Sequence, residues 1–162
     1  HTACRRQRQM CIRDSPVSVF LMIGINEFFA DNSNNPSINP EYVAQNILKI
    51  AGTIKKGSPK TEILISTILP INNEQYINVK NVDYNFLQEN YSPSINDQVE
   101  KTNMILKSNK KYTVVDLYKV FADENYNLNS SLSSDGVHLN NTGYDLWVQK
   151  TISLINTLKD NK

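Results

Sequence analysis

A chain of 162 residues with 40% hydrophobic residues is long enough to bury the core of one globular domain. Its formal net charge of +1 is too small to attract nucleic acid, and no apolar run approaches the roughly 20 residues of a membrane-spanning helix. Composition therefore favours a single soluble domain and argues against nucleic-acid binding and membrane spanning.

The first fifteen residues differ in composition from the rest of the chain. They contain all four arginines and both cysteines, whereas from Pro16 onward 13 Lys face 15 Asp and Glu, for a formal charge of −2. The segment lacks the apolar region of a signal peptide and resembles translated adapter sequence at the end of an environmental gene fragment. We expect residues 1–15 to be a non-native leader and residues 16–162 to be the domain; a native basic tail that binds an acidic partner is the alternative. Cys4 and Cys11 match no zinc or disulfide pattern.

Three apolar runs predict strands. Residues 17–24, which read VSVFLMIG, are rich in β-branched and aromatic side chains and end at a glycine. Residues 61–70 form a second run that ends at Pro70, and residues 112–117 form a third. Continuous apolar runs of this kind are typical of strands buried on both faces of a parallel sheet.

Helices are predicted between and after these strands. The first follows Asn39 as N-cap, with Pro40 at its first position, and ends at Gly57. A second covers residues 94–111 with Ser94 as cap, and the last covers about 141–159. The residues expected on buried helix faces are Val43, Ile47, Ile50 and Ile54; then Ile95, Val99, Met104 and Ile105; and finally Tyr144, Val148, Ile152, Ile155 and Leu158.

Alternation of strands and helices favours an α/β fold, with helices on both faces of a parallel sheet in three α/β/α layers. Residues 71–93 are long for a connection, so they should contain a short helix or line a site. The aromatic residues of this stretch are expected to pack the loop onto the domain, the alternative being that they wall a substrate pocket. They are Tyr76, Tyr84, Phe86 and Tyr91.

Two loops contain the candidate site residues. Ligands of parallel α/β sheets bind at the carboxyl ends of the strands, where the sequence GINE leaves the first strand. Gly24 allows a sharp turn, and Asn26 can present a neutral amide donor to an oxyanion. By itself this pattern favours an asparagine that merely tolerates turn geometry or caps a helix.

The second loop reads SSDGVHLNNTGY and contains the only histidine other than His1. Asp135 and His138 are three residues apart, so one turn can aim both side chains the same way. A carboxylate that accepts from Nδ1 leaves Nε2 free to take a proton from a nucleophile. The alternative is a turn in which Asp135 caps backbone N–H groups and His138 is an ordinary surface residue.

Taken together, the two loops resemble the conserved blocks of the SGNH hydrolases, also called the GDSL esterase and lipase family. Residues 24–27 resemble the family's Gly-x-Asn-Asp block, with Glu27 in place of the aspartate, and residues 135–138 resemble its Asp-x-x-His block before the last helix. The sequence ILISTILPINN resembles a strand and proline turn of acetylesterase members. The resemblance runs from about residue 17 to 158 and implies a flavodoxin-like parallel sheet.

The resemblance also implies residue roles. His138 would be the general base and acid, Asp135 its orienting carboxylate, Asn26 an oxyanion donor and Gly24 the residue that shapes its loop. The family's Gly-Asp-Ser block, with its nucleophile, and the block of a second oxyanion glycine are not found in the sequence. Neither Ser15 nor Ser18 is assigned as nucleophile, because a parallel crossover needs a dozen or more residues. We therefore expect a C-terminal part of a hydrolase whose first strands are missing.

The predicted function is serine-type hydrolysis of an acyl, above all acetyl, ester of a small molecule or carbohydrate, without metal or cofactor. An inactive module that binds glycans or a partner through its Tyr-rich loop is the alternative. A dinuclear metallohydrolase needs more convergent ligands than one histidine and scattered carboxylates. A receiver-like signalling domain needs an acidic cluster at the strand ends, where only scattered residues such as Asp116 occur. Oligomeric state and compartment are not predicted.

Overall fold

The computed structural model describes residues 16–29, 39–81 and 94–160, except for the side chains of residues 158–160. Its centre is a parallel sheet of three strands in the order β1 (Ser18–Leu21), β2 (Glu62–Ser66) and β3 (Thr113–Val115). Val19 lies opposite Ile63, and Leu64 lies opposite Thr113. All three predicted strands are present, each shorter than its apolar run because ladder pairing stops where the chain leaves the sheet.

The helices follow in chain order: α1 (Ile25–Phe29), α2 (Pro40–Gly57), α3 (Asn73–Lys80), α4 (Ile95–Ser108), α5 (Tyr118–Phe121), a 3₁₀ turn (Ser130–Leu132) and α6 (Asn141–Asp160). Both predicted N-caps are confirmed. The Asn39 side chain accepts from the Tyr42 N–H at 2.9 Å, and the Ser94 hydroxyl accepts from the Asp97 N–H at 3.2 Å. These caps satisfy backbone donors that a helix start leaves unpaired.

Helices cover both faces of the sheet. On β2, Ile63 and Ile65 point into a core shared with α2 and α4, whereas Leu64 points into a second core. The second core also contains Val115, and α6 covers it with Leu146, Trp147, Leu154 and Ile155. The predicted three-layer α/β/α arrangement is therefore confirmed.

On α2 and α4, two side chains expected on the buried faces are exposed, Ile50 and Met104. The buried face of α2 runs instead through Ala44 and Ala51, both fully buried in the core shared with α4. On α4, Asn103 occupies a core position beside Met104. Helical spacing alone does not decide which of two neighbouring residues in a turn is buried. The element that packs against the helix decides it.

The predicted buried stripe of α6 is largely wrong. Tyr144, Val148 and Ile152 are 52%, 46% and 54% exposed, and we refer to these three residues as the exposed stripe. Ile155 is partly buried in the second core, and the Leu158 side chain lies outside the described residues. The helix has a second apolar set, Leu146, Trp147 and Leu154, and that set faces the sheet.

The long stretch 71–93 does contain a short helix, α3, as predicted. The Tyr76 ring packs against Phe29 with ring centroids 5.3 Å apart, which agrees with a packing role for this aromatic. Tyr84, Phe86 and Tyr91 lie outside the described residues. Among the described helices, none combines the length and the apolar character needed to cross a bilayer.

Candidate active site

Asp135 and His138 hydrogen-bond each other in the loop before α6. The ring Nδ1 of His138 lies 2.9 Å from Oδ2 of Asp135, while Oδ1 accepts from the backbone N–H groups of Val137 at 3.0 Å and His138 at 2.8 Å. Lys80, the last residue of α3, places its ammonium 3.3 Å from the same Oδ2. The carboxylate thus uses one oxygen to shape the turn and the other to hold the imidazole.

These contacts keep the Asp135 carboxylate ionised and fix the tautomer of neutral His138. Burial raises the pKa of the Asp135 carboxyl, but hydrogen bonds from the N–H and ring of His138, the N–H of Val137 and the Lys80 ammonium outweigh it and hold this pKa below its usual range. An ionised carboxylate only accepts hydrogen bonds, so Nδ1 must be protonated. In neutral His138, the lone pair is therefore on Nε2.

The turn itself depends on Ser133 and Gly136, which the sequence analysis did not single out. The Ser133 hydroxyl accepts from the Gly136 N–H at 2.8 Å and donates to the His138 carbonyl at 2.8 Å. Gly136 has φ +84°, and a Cβ at this position would lie 2.4 Å from the Asn72 carbonyl oxygen. The Asn72 N–H in turn donates to the Gly136 carbonyl at 2.7 Å. A glycine between Asp135 and His138 was the available signal for this close approach.

Asn26 and His138 line one cavity of about 200 Å³, although 111 residues separate them in the chain. Asn26 lies in α1, directly after β1, and is exposed. Gly24 turns the chain between β1 and α1 with φ +119°, where a Cβ would meet the Ile68 side chain at 2.8 Å. The remaining lining residues have apolar side chains except for the hydroxyl of Tyr144, and they comprise Met22, Ile23, Ile25, Ile68, Leu69, Pro70, Val137, Leu139 and Tyr144.

Two asparagines of α4 hold residues 68–71, of which residues 68–70 line the cavity. Asn103 accepts from the Ile68 N–H at 2.8 Å and donates to the Ile68 carbonyl at 2.9 Å. Asn96, seven residues earlier on the same helix face, makes the same pair of bonds to Ile71 at 2.8 and 2.9 Å. Each amide replaces a strand partner for its loop residue, so this segment stays extended beyond the end of β2.

The arrangement provides a steered imidazole and a neutral amide donor beside an apolar cavity. His138 is well exposed, with 69% of its side chain accessible, and no hydroxyl within the described ranges hydrogen-bonds its Nε2. A group that enters the cavity can therefore reach this nitrogen. Across residues 16–29, 39–81 and 94–160, no three His, Cys, Asp or Glu side chains cluster in a way that would hold a metal ion.

Comparison with protein-family models matches residues 3–146 to the GDSL-like lipase/acylhydrolase family. This range includes both loops that line the cavity. No curated protein sequence gives a significant match.

The fold is similar to those of several solved hydrolases. A GDSL-like lipase from Bacteroides thetaiotaomicron superposes with a TM-score of 0.66 at 22% identity, over 89% of this chain and 64% of that one. An acetyl esterase variant solved with an acetate ion gives 0.55 at 16% identity, over 93% and 62%. A family 3 carbohydrate esterase from Talaromyces cellulolyticus gives 0.54 at 17% identity, over 92% and 62%. The chain thus spans less than two thirds of the length of each.

Proposed function

This chain belongs to the GDSL-like lipase/acylhydrolase family, and we propose that it is the C-terminal part of a serine-type esterase. The intact enzyme removes acetyl or another short acyl group from an ester of a small molecule or carbohydrate. The small apolar cavity beside His138 supports a short acyl group. The similarity in fold to an acetyl esterase and a carbohydrate esterase supports the substrate class.

In the proposed mechanism, the nucleophile is a serine of a Gly-Asp-Ser block encoded upstream of residue 16. Nε2 of His138 takes the serine proton while the serine oxygen bonds to the ester carbonyl carbon. The oxyanion that forms accepts a hydrogen bond from the Asn26 amide. Collapse of this intermediate breaks the bond to the alcohol, whose oxygen receives the proton from Nε2. Water then repeats the sequence on the acyl-enzyme, and no metal ion or cofactor takes part.

One observation carries this proposal: the imidazole that Asp135 holds by Nδ1 at 2.9 Å lines the same cavity as Asn26. A base and an oxyanion donor must act at one reacting ester, and this cavity is lined by a candidate for each. The Asx-type turn made by Oδ1 explains the loop's shape but does not require the second oxygen to face the ring.

The test begins with the upstream reading frame of the parent gene. We expect it to encode a Gly-Asp-Ser block and the intact protein to hydrolyse p-nitrophenyl acetate. His138→Ala should reduce kcat/KM by about 100- to 10,000-fold, and Asn26→Ala by about 100- to 1000-fold. Asn78→Ala, an exposed asparagine on α3, is the matched control and should leave the rate unchanged.

The 162-residue chain provides a second check, because under this proposal it contains the base without the nucleophile. It should hydrolyse p-nitrophenyl acetate no faster than free imidazole at the same concentration. A start codon at the beginning of this chain with no Gly-Asp-Ser block upstream would refute the proposal. Glycan binding that survives His138→Ala, with no ester ever hydrolysed by the intact protein, would instead favour the inactive binding module.

A further inference from the structure

A lysine on a neighbouring helix shares the carboxylate oxygen that holds the candidate base. The Lys80 ammonium and the His138 Nδ1 lie 3.3 and 2.9 Å from Oδ2 of Asp135. The Lys80 side chain is 46% exposed, whereas that of Asp135 is only 12% exposed. Exposed ion pairs contribute little, but a largely buried carboxylate must have its charge compensated.

The charges around Asp135 show what the lysine adds. Oδ1 is occupied by the two backbone N–H groups of the turn, and Oδ2 receives the imidazole and the ammonium. Among the described residues, the charged or titratable side chains paired with Asp135 are His138 on its own loop and Lys80 on α3. While the imidazole is neutral, Lys80 supplies the only full positive charge that a described residue places on this carboxylate.

The position of Lys80 is built into the packing of α3. Asn72, the N-cap of this helix, donates its backbone N–H to the Gly136 carbonyl, and the backbone of Tyr76 lies so close that a Cβ on Gly136 would sit 2.7 Å from its nitrogen. Lys80 follows Tyr76 by four residues and so lies on the same helix face. The helix α3, which packs against the Asp135 turn, therefore also places the Lys80 ammonium beside Asp135.

We propose that Lys80 is a positioning residue for the esterase: its charge compensates Asp135 while His138 is neutral, and so keeps the imidazole in the form that accepts a proton through Nε2. A carboxylate alone would favour a second proton on the ring, because it attracts the positive imidazolium. With Lys80 on the same oxygen, the positive charge of the ammonium repels the imidazolium and opposes this protonation. The inference rests on the proposed function for the role of His138 as base.

The size of the effect follows from the geometry. Both cations contact one oxygen, so they lie within about 6 Å of each other, where repulsion screened as in water changes a protonation ratio about threefold. Removal of the lysine charge should therefore raise the ratio of imidazolium to imidazole at pH 7 about threefold. Low ionic strength keeps the interaction from being screened.

The experiment measures that ratio from the ring ¹⁵N chemical shifts of His138 in the full 162-residue chain. His1→Gln leaves a single histidine, and Val148→Glu with Ile152→Lys makes the exposed stripe polar. In this background, Lys80→Gln should raise the ratio about threefold. Lys80→Arg should restore it, and Lys119→Gln, which removes an exposed lysine of α5, should leave it unchanged.

An unchanged ratio in a folded Lys80→Gln variant would overturn the inference, as would an equal rise in Lys119→Gln. Amide dispersion identifies a variant that has unfolded, and Lys80→Met then serves as the second charge-removing change. The rescue by arginine separates the charge effect from a structural role of the side chain. Because the readout needs no ester hydrolysis, it can fail while the esterase assay succeeds, and the reverse.

Discussion

Replacement of Gly136 by alanine should destabilise both the fold and the Asp135–His138 turn. Gly136 has φ +84°, a conformation that costs a residue with a Cβ roughly 1–2 kcal/mol. The new Cβ would also lie 2.4 Å from the Asn72 carbonyl oxygen, so α3 or the turn must move. That movement breaks the 2.7 Å bond from the Asn72 N–H to the Gly136 carbonyl, for about 1 kcal/mol more.

The expected total is a loss of about 2–3 kcal/mol in the free energy of unfolding. Urea unfolding followed by the fluorescence of Trp147, the single tryptophan, should show a midpoint lower by about 1–2 M. Gly52→Ala is the matched control. Its Cβ would meet only the Tyr112 hydroxyl at an ordinary 3.5 Å, and alanine in a helix interior should stabilise the chain by about 0.5–1 kcal/mol.

Equal midpoints for Gly136→Ala and the unsubstituted chain would refute this reasoning, because they would mean that the turn is not pressed against α3. A loss of stability in Gly52→Ala would point instead to a general intolerance of added volume. The opposite signs expected for the two substitutions make the comparison decisive.

Three further predictions concern the wall of the cavity, acid stability and association. Asn103→Ala should cost about 2–5 kcal/mol in urea unfolding, because it leaves the buried N–H and carbonyl of Ile68 without partners; full stability would contradict the role of this amide. Because the pKa of Asp135 is lowered in the folded chain, this carboxylate stabilises the fold at pH values above the ordinary aspartate pKa of about 3.9. The melting temperature should therefore fall as the pH drops below about 3.9. The fall should be smaller in Asp135→Asn. Among the described residues β1 pairs with β2 alone, and this unpaired edge and the exposed stripe should make the chain poorly soluble and self-associating. Val148→Glu with Ile152→Lys should reduce this association in sedimentation, and a monodisperse, cooperatively melting monomer without these changes would contradict the prediction.

The features that the sequence predicts correctly are those decided by neighbouring residues. A cap such as Asn39 needs only the N–H three residues on, and Asp135 needs only one turn to reach the His138 ring. A continuous apolar run such as residues 61–70 indicates a strand buried on both faces, whichever elements pack against it. The order of these elements along the chain then restricts the fold to parallel α/β layers.

The features that the sequence does not predict depend on contacts between distant segments. Two apolar sets run along α6, and only the sheet determines that Trp147 packs against Phe20 while Val148 stays in solvent. Lys80 and Asp135 are 55 residues apart, and nothing in the periodicity of α3 marks its last lysine as a partner of the turn. The two hydrogen bonds between Asn103 and the backbone of Ile68 are also not predictable from the sequence, because a polar residue beside the apolar face of a helix usually faces water.

The two interpretations of Asp135 that the sequence left open are compatible, since each uses a different oxygen of one carboxylate. Oδ1 caps the turn and Oδ2 holds the ring, so a change that alters only the second oxygen should separate folding from chemistry. Asp135→Asn can keep its Oδ1 on the two N–H groups, but its amide nitrogen can donate and cannot accept. The ring must then present a lone pair at Nδ1, which moves the proton of neutral His138 to Nε2. Ring ¹⁵N shifts should report this tautomer in a variant whose amide spectrum stays native. A ring still protonated at Nδ1 would show that Asp135 does not steer the imidazole.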